Sequence, residues 1–181
     1  MIRQSIAKRY AKGLFAVGEK DSHYKDYLEE LEGLLRLFEG EQRLKKALML
    51  PLLEIGKRKE LLSDIMRAAG TSVPLSNILT MLLENNRMTY LPVIRDVYAE
   101  LVDDKEGRVR GTIWSAFPLD EGLKKQIEEA LKDRFHKKEV ILAVIEDKGL
   151  MGGVKVAVKG TIIDGSVKRQ LETLQENILK E

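Results

Sequence analysis

Val140-Ile-Leu-Ala-Val-Ile-Glu-Asp-Lys-Gly-Leu-Met-Gly-Gly-Val-Lys-Val-Ala-Val-Lys-Gly-Thr-Ile-Ile-Asp-Gly-Ser166 lays out a complete plan of strand, corner, hairpin and helix start. Its first six residues, Val140 to Ile145, are all apolar. An unbroken apolar run this short predicts a strand covered on both faces. Glu146 to Gly149 then turns the chain, and Gly152-Gly153 makes a corner. From Val154 to Lys159 valine recurs at every second position, so one sheet face is apolar and the other mixed. Lys159-Gly160 suits a two-residue hairpin turn, because glycine accepts the positive φ such turns need. Thr161 to Ile163 returns as a further strand. Asp164-Gly165-Ser166 stops the sheet and offers Ser166 as the N-cap of a last helix.

Everything before this stretch has a different period. Ser5 to Lys20 reads as a helix with Ala7, Tyr10, Ala11, Leu14 and Gly18 on one face. Tyr24 to Phe38 is amphipathic along Tyr24, Leu28, Leu31, Leu35 and Phe38. Glu41 to Leu50 is a short helix stopped by Pro51. Gly56 to Ala69 follows, with Leu61, Leu62, Ile65 and Met66 inward and Gly70 as its C-terminal cap. Thr71 or Ser72 caps a fifth helix carrying Pro74 in its first turn and Ile78, Leu79, Leu82 and Leu83 at its core. Thr89 to Asp104 is the sixth, through Leu91, Ile94, Val97, Tyr98 and Leu101. Short connections between helices imply antiparallel neighbours in a bundle.

The charged run Asp103-Asp-Lys-Glu-Gly107 marks the junction. Beyond it Val109, Ile113 and Phe117 fall on one side of an extended chain, with Trp114 as an edge cover or a partner contact. Asp120 caps a helix through Leu123, Ile127, Leu131 and Phe135, and the final helix is expected to bury Val167, Leu171, Leu174 and Ile178. The expectation is an α+β chain. Residues 1–105 form an N-terminal six-helix bundle, and residues 106–181 a small C-terminal α/β domain, a short sheet with two helices.

Totals narrow the chemistry. With no cysteine, disulfides, Cys-based metal sites and Cys nucleophiles are excluded. Net charge is +2, and the two halves are alike: 17 basic and 16 acidic residues up to Lys105, 14 and 13 beyond it. That balance argues against a dedicated binder of phosphate backbones. No apolar run approaches the roughly 20 residues that span a bilayer. The first helix follows Met1 almost directly, so a cytosol-like compartment with no leader is expected.

Candidate catalytic groups are sparse. His23 and His136 lack metal-ligand spacing with another His or Cys, and both read as solvated polar residues. Gly149-x-x-Gly152-Gly153 lacks the Gly-Lys-Ser/Thr ending of a phosphate loop and leads into a strand, so Gly152, Gly153 and Gly165 are read as structural. No cofactor or metal is expected, and the chain is read as not itself an enzyme. A nucleic-acid-binding two-domain protein is the alternative, on Lys137, Lys138, Lys168 and Arg169. Yet no exposed aromatic pair for stacking bases accompanies them. An interaction protein fits better. Gly13 and Ala11 leave room on the first helix, while Tyr10, Leu14 and Val17 offer apolar surface. On the fifth helix Asn77 and Met81 lie to one side of the core positions, so a partner helix is expected in a groove between the two.

Four blocks carry a resemblance. Gly149-Leu-Met-Gly-Gly-Val154 with Ile162-Ile-Asp-Gly-Ser-Val-Lys-Arg-Gln-Leu-Glu-Thr-Leu174 closely resembles the C-terminal signature of the delta subunit of F-type ATP synthases, the family of the oligomycin-sensitivity-conferring protein. Leu83 to Tyr98 is similar to a second block, from whose usual glycine, leucine and phenylalanine Asn86, Met88 and Tyr98 depart; asparagine tolerates the left-handed conformation that glycine would take, so the turn is kept. Gly107-x-Val-x-x-x-Ile-x-Ser-Ala-x-Pro-Leu119 is similar to a third, apart from Trp114. Ala7 to Phe15 looks like the family's first helix. The resemblance implies a non-catalytic peripheral-stalk subunit. Its N-terminal bundle would grip the N-terminal helix of an alpha subunit of the catalytic head, and its C-terminal domain would meet the stalk b subunits and resist rotor torque. It would bind no nucleic acid, and would reach the cytoplasmic face of a bacterial membrane only through the complex.

Overall fold

The computed structural model describes residues 2–49 and 53–178. The chain divides into two compact units, Met1–Val102 and Asp103–Glu181. The first holds six α-helices: α1 (Ile2–Asp21), α2 (Tyr24–Gly40), α3 (Gln42–Met49), α4 (Ile55–Ala68), α5 (Val73–Glu84) and α6 (Leu91–Glu106), the last running on past Val102. A seventh helical element, the 3-10 turn Met88–Tyr90, precedes α6, so the run expected to open one helix at Thr89 is two elements. The expected stop of α3 at Leu50 and Pro51 lies outside the described residues.

Small residues decide how closely the helices of this unit meet. Ala7 and Ala11 are wholly buried, and a Cβ on Gly18 would stand 2.8 Å from the Tyr24 Cα. Phe15 packs edge-on against Tyr24 and Tyr98, with centroids 5.9 and 5.8 Å away. Buried Tyr98 donates its hydroxyl to the Tyr24 carbonyl at 3.0 Å. Arg58, with 2% exposure, donates to the Leu48 carbonyl at 2.6 Å and to Asn86 Oδ1 at 2.9 Å. It thereby ties the ends of α3 and α5 to α4. Asn86 holds φ 54°, the left-handed geometry that asparagine tolerates in place of glycine. Ser72 does not cap α5 through its side chain. Its hydroxyl and amide both donate to Glu30 Oε2, joining α5 to α2.

The second unit is a mixed sheet with two helices: β1 (Arg108–Ser115), α7 (Glu121–Phe135), β2 (Glu139–Glu146), β3 (Val154–Val158), β4 (Thr161–Asp164) and α8 (Val167–Ile178), with a 3-10 turn at Lys148–Leu150. Strand order is β2-β1-β3-β4, parallel for β1 and β2 and antiparallel elsewhere. Val109, Ile113, Val140, Leu142, Val156 and Val158 form one face and pack with Leu131 of α7. Asp120 caps α7 through the Gly122 amide at 3.1 Å, and Ser166 caps α8 through the Arg169 amide at 3.2 Å. Lys159 and Gly160 both have positive φ, 49° and 77°, which makes the β3–β4 connection the mirror-image turn that matches strand twist.

Three expected burials fail in this unit. β2 is an edge strand, and Ile141, Val144 and Ile145 are exposed rather than covered on both faces. β1 ends at Ser115, which leaves Phe117 beyond the strand and 68% exposed. Val167, Leu171 and Leu174 of α8, like Leu123 of α7, face outward. The side chain of Ile178 lies outside the description. In each case the apolar period is present and no described residue supplies the layer that would cover it.

Candidate interaction surfaces

The groove predicted in the first unit separates into core and surface. Tyr10, Ala11 and Leu14 are core residues, so Tyr10 and Leu14 do not offer the apolar surface expected of them. Tyr10 instead accepts a hydrogen bond from Arg87 at 3.1 Å, which ties α1 to the turn after α5. Gly13, Val17, Asn77 and Met81 are outward-facing. A Cβ on Gly13 would meet nothing within 4 Å, and Val17 and Met81 are 42% and 49% exposed. Val73 at the start of α5 is open as well.

Among the described residues, one face of the second unit's sheet carries no covering layer. Strand register puts Ile141, Ala143 and Ile145 of β2 beside Arg110, Thr112 and Trp114 of β1, then Lys155 and Ala157 of β3, then Ile162 of β4. Trp114 is half-buried, with the Lys155 ammonium 5.8 Å from its ring centre. Its placement is on this face rather than as a cover for a strand edge.

The predicted structural glycines sit where backbones approach. Gly153 has φ 73°, and a Cβ there would stand 2.3 Å from the Gly165 carbonyl oxygen. A Cβ on Gly152 would meet Val167 at 3.0 Å, and one on Gly165 the Val154 carbonyl oxygen at 3.3 Å. Between this corner and the start of α8 lies a cavity of about 400 Å³, lined by Lys155, Lys168 and Arg169 but also by Asp147, Asp164 and Glu172. Its mixed charge marks no anion site.

Sequence reasoning missed a set of ion pairs at the end of α6. Asp103, 5% exposed, receives Arg110 at 2.5 Å and lies 3.6 Å from Arg108. Asp104 receives Lys137 at 3.0 Å and also pairs with Lys159. Burial alone would raise the Asp104 pKa. The two ammonium groups outweigh that and hold the carboxyl below the usual range. The histidines stand at the ends of helices. His23 precedes α2, where its bond to Asp26 at 2.6 Å raises its pKa, and His136 closes α7 at φ 50°. Among the described residues no group of three His, Cys, Asp or Glu could hold a metal ion, and no helix is long and apolar enough to cross a membrane.

Two units with separate cores, a helical bundle followed by a mixed sheet with two helices, define the class: a two-domain α+β chain, each unit of which leaves large apolar side chains open. Known proteins say which family this is. The family model for the ATP synthase delta (OSCP) subunit matches residues 6–178. The chain is similar to the ATP synthase subunit delta of Syntrophus aciditrophicus, 34% identical over all of this chain and 99% of that one. It is also similar to that of Geobacter metallireducens, 33% identical over 99% of each. A chain in the Toxoplasma gondii mitochondrial ATP synthase shares the fold with a TM-score of 0.71, at 21% identity over 96% of this chain and 97% of that one. This chain belongs to the ATP synthase delta (OSCP) subunit family, and is a non-catalytic component of the enzyme's peripheral stalk.

Proposed function

We propose that the chain is a two-ended adaptor of the stator, with the first unit holding the N-terminal helix of an alpha subunit and the second meeting the b subunits at the cytoplasmic face of the membrane. The observation that carries the first contact is the open strip on α1 and α5. Gly13 leaves room for a close helix, and Val17 and Met81 present apolar side chains that the bundle does not use. An amphipathic helix buries such a strip by laying its apolar face along it. A stator transmits torque without chemistry, so two durable contacts on two separate cores suit the task.

The test is a titration of a peptide copying the alpha-subunit N-terminal helix into the parent and into Gly13→Trp. Gly13 is exposed and a Cβ there meets nothing within 4 Å, so the variant is expected to stay folded, which its melting temperature checks. It is expected to bind the peptide at least about tenfold more weakly, the loss typical of blocking a central contact. Equal binding by both would remove this strip from the reading.

A further inference from the structure

The turn after α5 is held from two sides. Asn86 is the left-handed residue that ends the helix, and the Arg87 and Asn86 amides close it by donating to the Leu82 and Leu83 carbonyls at 2.7 and 3.0 Å. On one side Asn86 Oδ1 accepts from the buried guanidinium of Arg58 on α4, at 2.9 Å. On the other, Arg87 Nη1 donates to the Tyr10 hydroxyl on α1, at 3.1 Å. This second bond is not needed to fill the core. The Tyr10 ring packs in the bundle, and phenylalanine would occupy the same space. Nor does Arg87 answer a charge, since among the described residues no carboxylate pairs with it. Its side-chain bond runs instead to a residue 77 positions away in the chain. Tyr10 and Arg87 stand at the end of the strip that the stator reading gives to a partner helix. Gly13 and Val17 follow Tyr10 at three and seven positions, the spacing of one helix face, and Met81 and Asn77 precede Arg87 by six and ten. Tyr10 is buried and Arg87 half-buried, so the bond joins the two walls of the strip without being part of its open surface.

We propose that Tyr10 and Arg87 are positioning residues, whose hydrogen bond sets α1 and α5 at the spacing the alpha-subunit helix needs before that helix arrives. This rests on the reading of the strip given above and says what keeps the strip ready-formed. A groove of fixed width spares its guest the cost of ordering the walls, and that saving appears as affinity. The two residues act as one unit. Removing either end releases α1 from the turn, and removing the other end as well then changes nothing more.

The experiment titrates the peptide copying the alpha-subunit N-terminal helix into the full chain, Tyr10→Phe, Arg87→Met and the double variant, each with its melting temperature. Phenylalanine keeps the packed ring, so Tyr10→Phe is expected to remain folded at the titration temperature, which its melting curve checks. Each single variant is expected to bind about fivefold more weakly, the size of one net hydrogen bond. The double variant is expected to bind no more weakly than either single one. A bond that served the bundle alone would lower melting and leave the affinity of the folded protein unchanged. Equal affinity in all four proteins, whatever their melting, therefore overturns the positioning role and leaves the strip standing. A double variant weakened by the product of the two single losses overturns it too, because the residues would then act separately. A parent that does not bind the peptide overturns the strip reading and this inference together.

Discussion

Replacing Gly153 by alanine should unfold the C-terminal unit far more readily than its single added methyl suggests. An L residue held at φ 73° costs about 1–2 kcal/mol. The added Cβ would also stand 2.3 Å from the Gly165 carbonyl oxygen and 3.1 Å from the Ser166 Cα. Neither neighbour is a flexible side chain, so the backbone of the β4–α8 connection must shift, at roughly 1–3 kcal/mol. Together these predict a loss of about 3 kcal/mol or more. In a unit this small each kcal/mol moves the melting temperature by about 4–8 °C, so a fall of more than about 12 °C is expected. Gly160→Ala is the control. It has the same kind of backbone, φ 77°, but nothing lies within 4 Å of the new methyl, so it should lose only about 1 kcal/mol. The chain's one tryptophan, Trp114, lies on β1, so its fluorescence reports this unit during heating. If Gly153→Ala melts no lower than Gly160→Ala, the close approach to Gly165 does not limit the corner. Unchanged melting with lost partner binding would instead make the corner a ligand site.

The ion pairs at the end of α6 predict where the chain can be cut. Fragments 1–102 and 103–181 should each melt cooperatively, whereas 107–181, lacking Asp103 and Asp104, should be markedly less stable; equal melting of the two C-terminal fragments would count against the pairs. In the full chain Asp103→Ala should cost roughly 2 kcal/mol, because it strips a nearly buried carboxylate from Arg110, and Trp114 fluorescence in urea would measure it. Asp104 predicts a pH dependence. Its folded pKa lies below the reference value of 3.8, so its contribution is complete above that range and fades as pH falls through the lowered value. Asp104→Asn should therefore flatten acid destabilisation below about pH 4 while costing well under 1 kcal/mol at neutral pH, as a half-exposed pair does.

Local signals proved readable and coverage did not. The caps at Asp120 and Ser166, the Lys159-Gly160 turn and the left-handed Asn86 each follow from a few adjacent residues, and each stands as the sequence implied. The helix and strand periods of both units were legible for the same reason. What a period cannot say is which layer will cover it. Val140 to Ile145 and the α8 stripe carry the pattern of core elements, yet their outer residues are open. Conversely, Tyr10 and Leu14 looked available on α1 and are sealed by the bundle. The pairs from Asp104 to Lys137 and Lys159 join positions far apart in the chain, which no local window contains.

The central claim is that one chain spans two partners through two separately folded units. The most direct measurement is native mass spectrometry of the catalytic head mixed with the soluble b segment, in the presence of either the full chain or an equimolar mixture of fragments 1–102 and 103–181. The account predicts a head–chain–b complex with the full chain. With the fragments it predicts head bound to 1–102 and b bound to 103–181, but no species containing both head and b. Bridging by the unlinked fragments, or none with the full chain, would contradict it.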